Sequence, residues 1–412
     1  MSKKIRTPKG MRLHIGIFGR RNVGKSTVLN ALTNQNVSIV SNQAGTTTDP
    51  VEKPMELLPL GPVIFIDTAG IDDEGDLGEL RIQKSMNAVK RTDIGIIVSD
   101  SGKIEKFEQR LITIFKEYKI PFFIIFNKSD LQEIFQETAN YLENEKISYV
   151  KTGAKDGIGI NLIKNEIIKT APEDYLAGQP IAGDLVPPGE TAILVVPIDK
   201  EAPKGRLILP QVQTIRDLLD SDTVVMVVKE RELSHALDNL KRPPALVITD
   251  SQAFLKVAAD TPDNIPITSF SILFARLKGD LATQVKGTFA IDTLENGDKI
   301  LVAEACTHHP IGEDIGRVKI PRWITSYSGK DIIFDTVQGH DFPPNLKDYK
   351  LVIHCGACMF NKKAVLSRIL ECSLAGVPIT NYGLIIAKSL GILKRVLKPF
   401  PAAYNIFEEL DE

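Results

Sequence analysis

Eight residues near the start of the chain, GRRNVGKS at 19–26, have the types and spacing of a phosphate-binding loop. Glycines at Gly19 and Gly24 let the backbone curl so that its N–H groups, those around Asn22 and Val23 included, turn toward phosphate oxygens. A helix starting near Lys25 adds the positive end of its dipole. Lys25 is placed to reach the β- and γ-phosphates, Ser26 to bind Mg²⁺, and Thr27 stands in the first helical turn. Asp67 to Gly70, DTAG, ends an apolar run. Asp67 can hold the Mg²⁺ shell, and the Gly70 amide can meet a γ-phosphate. Asn127, Lys128 and Asp130 belong to NKSD at the end of another run. A carboxylate at Asp130 can accept two hydrogen bonds from the N1–H and N2–H₂ edge of guanine, which adenine lacks. Alone, Ser129 or Asp130 would read equally as a helix N-cap. Ala154 and Lys155 fall where a loop can pack on the base. A Thr-rich stretch, AGTTTDP at 44–50, can ligate Mg²⁺ only when the γ-phosphate orders it, which makes a switch; a solvated turn is the plain alternative.

A second set of donors comes late. CTHH begins at Cys306 and HCGAC at His354, so Cys306, His308, His354, Cys355 and Cys358 group at two places, each after a β-rich run. C-x-x-C spacing chelates one metal or one cluster. Three readings stay open: a structural Zn²⁺ with four closed ligands, a 4Fe–4S cluster with four thiolates, and a cluster on three cysteines with one iron open or weakly ligated. Cys372 sits in an apolar helical pattern with Val365 and Ile369 and reads as a buried thiol.

These groups need a scaffold. Residues 11–170 alternate near-continuous apolar runs with amphipathic stretches, which predicts a mostly parallel sheet covered on both faces. Helices are expected near 25–33, 79–91, 105–118, 131–145 and 158–170. Pro and Gly then accumulate, which places a linker at 173–190. A second βα rhythm follows over 191–268, then a long helix from Ser269 to about Leu294, and a third rhythm to the end. Both donor groups then emerge at the carboxyl edge of one parallel sheet.

The 412 residues carry 50 basic against 52 acidic side chains, and 43% are apolar. Such a chain folds into two or three domains of about 150 residues and has no overall positive field to draw in nucleic acid. No apolar run approaches the ~18 residues of a membrane span, and no secretory leader is read at the N-terminus, so a cytoplasmic location is expected. In a reducing compartment, clustered cysteines read as metal ligands.

Taken in order, the nucleotide motifs resemble those of translation-factor-like GTPases of the tRNA-modification and ribosome-assembly group. The resemblance implies Thr47 as the switch threonine on Mg²⁺, with Thr48 where that group has arginine. It implies Asn22, in the form NVGKS, as ligand of a K⁺ ion in place of an arginine finger; loop stabilisation is the alternative. Lys25, Thr47 and Asn22 are then the catalytic set, because Ile71 stands where Ras-like enzymes orient water with glutamine.

The pattern C-x-H, a long spacer and H-C-x-x-C resembles the metal-binding signature of the FeFe-hydrogenase maturation GTPases, and the domain order matches over essentially the full chain. The resemblance implies an α/β protein of three domains: a P-loop GTPase (1–172), a dimerisation domain (191–268) and an iron–sulfur cluster domain (269–412). It implies a 4Fe–4S cluster on Cys306, Cys355 and Cys358 whose fourth position exchanges, with His308, His354, Glu304 or water competing for it. It further implies a homodimeric scaffold that receives a diiron carbonyl–cyanide precursor from radical-SAM maturases and delivers it to apo FeFe-hydrogenase. Two other classes remain: a zinc-containing GTPase of tRNA modification or ribosome assembly, and a regulatory GTPase whose metal domain senses redox state.

Overall fold

The computed structural model describes residues 9–33, 51–57, 60–68, 86–100, 102–129, 133–172, 175, 179–197, 207–305 and 314–411. Two compact units divide the chain, 1–178 and 179–412.

The first unit is a six-stranded sheet of order β2-β3-β1-β4-β5-β6. The strands are β1 (Leu13–Phe18), β2 (Val51–Leu57), β3 (Gly61–Asp67), β4 (Ile94–Ser99), β5 (Phe122–Asn127) and β6 (Tyr149–Thr152). All pairs are parallel except β2 with β3. Every side chain of β1 and β4 is buried, because helices cover both faces. The helices α1 (Lys25–Thr33), α2 (Lys106–Glu117), α3 (Gln136–Asn144) and α4 (Ile160–Thr170) follow β1, β4, β5 and β6. Two apolar clusters, one on each face, hold the layers together; each fully buried Ile or Phe contributes on the order of 1.5–3 kcal/mol. The sheet order reverses at β1, so the loop after β1 opens into the crevice where such folds bind ligands. The exposed, partly alternating strand β2 has no counterpart in the sequence reading: its VEKPMEL lacks the apolar run that marks the interior strands.

The second unit has two four-stranded parallel sheets, β10-β9-β7-β8 and β12-β11-β13-β14. The first comprises β7 (Thr191–Val195), β8 (Val224–Val228), β9 (Leu246–Thr249) and β10 (Ile267–Ser269). The second comprises β11 (Lys299–Glu304), β12 (Ile333–Gln338), β13 (Leu351–His354) and β14 (Ile379–Asn381). One apolar cluster runs from Leu194 and Ile248 of the first sheet to Ile300 and Ile353 of the second, through Phe270, Leu273 and Leu384.

The long helix expected from Ser269 to Leu294 is instead α5 (Phe270–Lys278), α6 (Leu281–Thr288) and a 3₁₀ turn. Gly279 ends α5, and Asp280 caps α6 by accepting from the Thr283 amide, so the Gly-Asp pair stops one helix and starts another. Helix α7 (Lys362–Ala375) follows the loop after β13. Cys372 lies on it, fully buried in an apolar cluster, its thiol pushed up to about 12 by burial.

Candidate functional site

The loop 19–26 joins β1 to α1 at the switch point. Lys25 is buried and donates to the carbonyls of Gly19, at 2.8 Å, and Arg20, at 2.7 Å, so its ammonium lies folded back along the loop. Ser26 donates to Asp67 at 3.0 Å, which brings together the two side chains read as Mg²⁺ groups. Burial raises the Asp67 pKa, and the Ser26 hydroxyl and Lys25 pull it back. Asn22 has φ +64°, a left-handed conformation that asparagine tolerates better than most residues. Gly24 has φ +95°, and a Cβ there would come 2.2 Å from Asn127 Nδ2, so only glycine fits.

Asn127 is a brace. Its Nδ2 donates to the Val23 carbonyl at 2.9 Å, and its Oδ1 accepts from the Ala154 amide at 3.2 Å. Lys128 donates to the Asn22 carbonyl at 3.0 Å and pairs with Asp100 at 2.7 Å. Gly19, Asn22, Val23, Gly24, Lys25, Ser26, Thr27, Asp67, Asn127, Lys128 and Ala154 thus converge at one edge of the sheet, with Lys155 in the exposed turn beside Ala154. Thr47, Gly70 and Asp130 lie outside the described residues. Sequence reasoning missed an anchor here. Arg20 donates to Glu108 Oε1 at 3.1 Å and to Glu105 Oε2 at 2.7 Å, tying the loop to the first turn of α2. Glu108 is fully buried, which raises its pKa against the pull of Arg20.

In the second unit, β11 and β13 are parallel neighbours in the register Ala303 to His354, so the chain leaves both at the same edge. Cys355 Sγ accepts from the Ala305 amide at 3.1 Å and the Ala357 amide at 3.4 Å. Cys306 is the next residue after Ala305; it and His308 lie outside the described residues. Among the described residues no group of three His, Cys, Asp or Glu side chains is placed to hold a metal ion. Burial pushes the Cys355 thiol up to about 11 and raises Cys358 as well; a bound metal would deprotonate both.

Two buried cations border this loop, and neither was singled out from the sequence. Lys278, at the end of α5, donates to the carbonyls of Ala357, Cys358 and Phe360 at 3.0, 3.1 and 2.7 Å. Desolvation lowers it to about 8. Arg368 of α7 donates to His354 Nε2 at 2.9 Å and to the carbonyls of Gly339 and Asp341, and its guanidinium lies over the rings of Phe342 and Phe360. Both occur in apolar helical stretches where a long cation reads as a solvated tip; only packing shows them buried. Sulfur donors, amide N–H groups on sulfur and buried positive charge suit a sulfur-ligated anionic group.

His354 and Glu304 were candidates for an exchangeable ligand. His354 donates through Nδ1 to its neighbour's carbonyl, Cys355 O, at 2.8 Å, so Nε2 must be the acceptor, and Arg368 occupies it. In this arrangement both ring nitrogens are engaged, Nδ1 by the Cys355 carbonyl and Nε2 by Arg368, which is the geometry of a supporting group. Burial, then Arg368, lowers its pKa to about 3, so the ring is neutral. Glu304 is buried and accepts through Oε2 from Gln338 at 3.0 Å and Arg317 at 3.4 Å.

Comparison with known proteins adds three family matches. Residues 14–128 match the 50S ribosome-binding GTPase model, residues 181–279 the hydrogen maturase F dimerization domain, and residues 282–399 the hydrogen maturase F tetramerization domain. The boundary between the last two falls where α5 gives way to α6. A tRNA modification GTPase MnmE of Endomicrobium trichonymphae is 37% identical over 174 residues, which is 40% of this chain and 38% of that one. GTPase Der of Wolinella succinogenes is 31% identical over 169 residues, 38% of this chain and 35% of that one. The chain therefore spans under two fifths of the length of these curated relatives. Among solved structures, Era of Aquifex aeolicus covers 60% of this chain and 99% of its own at 17% identity, with a TM-score of 0.34.

Proposed function

The chain belongs to the hydrogen maturase F family, and we propose that it is a GTP-hydrolysing scaffold that carries a 4Fe–4S cluster and a diiron cofactor precursor for FeFe-hydrogenase. Its first unit is a P-loop GTPase domain, and its second carries the dimerization and tetramerization domains. The observation that carries the reading is the loop Cys355–Cys358. It leaves β13 beside the end of β11, with Cys306 one residue beyond the Ala305 amide that donates to Cys355, and two buried cations face it.

The chain's own residues define the chemistry. Lys25 exchanges its bonds to Gly19 and Arg20 for phosphate oxygens when GTP enters. Ser26 and Asp67 hold Mg²⁺, Thr47 closes on it, and Asp130 selects guanine while Asn127 braces the loop. K⁺ at Asn22 supplies the missing positive charge. Cys306, Cys355 and Cys358 hold the 4Fe–4S cluster. When bound, the cluster supplies an iron site with a replaceable ligand, which four thiolates would close. Arg368 and Lys278 orient the loop, and His354 and Glu304 support it. The precursor arrives from radical-SAM maturases and leaves to apo-hydrogenase, with residues 191–268 serving dimerisation and 269–412 the cluster.

Strand β8 supports the dimer. Among the described residues it is the edge of its sheet, reads VVMVV, and exposes Val224 and Val227. An unpaired apolar edge is a ready template for a second copy. The tRNA-modification and ribosome-assembly reading is not favoured: those relatives match only about 40% of the chain, and the hydrogen maturase models take up the rest. Anaerobic reconstitution with iron and sulfide, followed by EPR of the reduced protein, tests the proposal. A colourless protein binding one Zn²⁺ would overturn it.

A further inference from the structure

Lys278 is 2% exposed, yet among the described residues no carboxylate meets it. Its three ammonium protons go to three carbonyls of one short loop, Ala357, Cys358 and Phe360, which uses its whole donor capacity and fixes both partners. The carbonyls it holds include that of Cys358 itself, so the ammonium lies beside the cysteine pair. A buried cation among neutral carbonyls is costly unless an anion stands near.

The loop itself is strained. Ala357, between the two cysteines, has φ +53°, a left-handed conformation that a residue with a Cβ adopts at a cost. Its carbonyl is one of the three that Lys278 takes. The lysine also crosses a boundary: it lies within the segment matched by the dimerization model, whereas the loop lies within the segment matched by the tetramerization model. The segment matched by the dimerization model thus contributes a residue to the cysteine loop of the segment matched by the tetramerization model.

We propose that Lys278 is the positioning residue of the cysteine loop and the counter-charge of the iron–sulfur group held there. It pins residues 357–360 in the turn that presents Cys358, and it favours the more negative, reduced state of the group. The inference rests on the cluster reading above and adds to it a residue that sets the cluster's potential.

The test compares the full-length parent with Lys278→Gln, Lys278→Met and Lys278→Arg after anaerobic reconstitution with iron and sulfide. Bound iron, release of iron to a chelator and an EPR-monitored redox titration are measured. Arg keeps the charge and should titrate within threefold of the parent. In Gln and Met, the reduced-to-oxidised ratio at a fixed potential should fall about tenfold, or about 59 mV for one electron, and iron should leave several-fold faster. Equal midpoints in all four proteins overturn the proposal. A parent that takes up no iron and sulfide sinks the cluster reading itself, an outcome that needs no variant to recognise. Should the uncharged variants fail to fold by circular dichroism, a crystal structure of the loaded parent decides. Nζ on the three carbonyls supports the assignment; Nζ turned away from them overturns it.

Discussion

Arg368 donates to Nε2 of His354 at 2.9 Å, while Nδ1 of the same ring donates to the carbonyl of Cys355. The two bonds fix the tautomer and leave the imidazole a brace between α7 and the cysteine loop. His354→Gln should therefore weaken cluster retention, by about the 1–3 kcal/mol of a lost buried hydrogen bond, without changing the EPR signature of the reduced cluster. A new spectrum in that variant would show that the ring reaches iron after all.

Asn127 joins the phosphate loop to the turn at Ala154 through a single side chain. Asn127→Ala breaks both bonds and should weaken GTP binding about 10- to 100-fold, taking about 1 kcal/mol for each bond. Titration with a fluorescent guanine nucleotide measures this. An unchanged dissociation constant would refute the bracing role.

Lys25→Ala should abolish GTP hydrolysis and leave cluster absorbance intact, because Lys25 and the cysteine loop belong to different compact units. Loss of the absorbance in that variant would contradict the independence of the two sites.

Asn22 sits in the left-handed region, so its side chain and its backbone preference make separate contributions. Replacing Na⁺ by K⁺ should raise the hydrolysis rate of the parent. Asn22→Gly keeps the conformation but removes the side-chain oxygen, and should lose the K⁺ response. A glycine variant that still responds to K⁺ assigns Asn22 to loop shape alone.

Val227 is exposed on β8, the edge strand of its sheet among the described residues. Val227→Lys places a charge on the edge proposed to pair with a second copy and should lower the oligomer mass in light scattering, with the circular dichroism spectrum preserved. An oligomer of unchanged mass would direct the search to another surface.

The nucleotide site was legible because its chemistry is local. A phosphate loop needs glycines, a lysine and a hydroxyl within eight consecutive residues, and the strands that carry it are buried on both faces and so read as apolar runs. Cys355 and Cys358 were legible for the same reason, as was the burial of Cys372 from its apolar helical neighbours. The break at Gly279-Asp280 was present in the sequence as a stop and a cap, but the apolar pattern on either side masked it.

What tertiary structure alone decided was the partnering of charge across long separations. Arg20 meets Glu108, Lys278 meets carbonyls of residues 357–360, and Arg368 closes the free nitrogen of His354. A long cation spells the same way whether its tip is in water or in a core. Its role depends on which backbone oxygens the folded sheet edges bring within about 3 Å, and that distance is set by packing rather than by spacing along the chain.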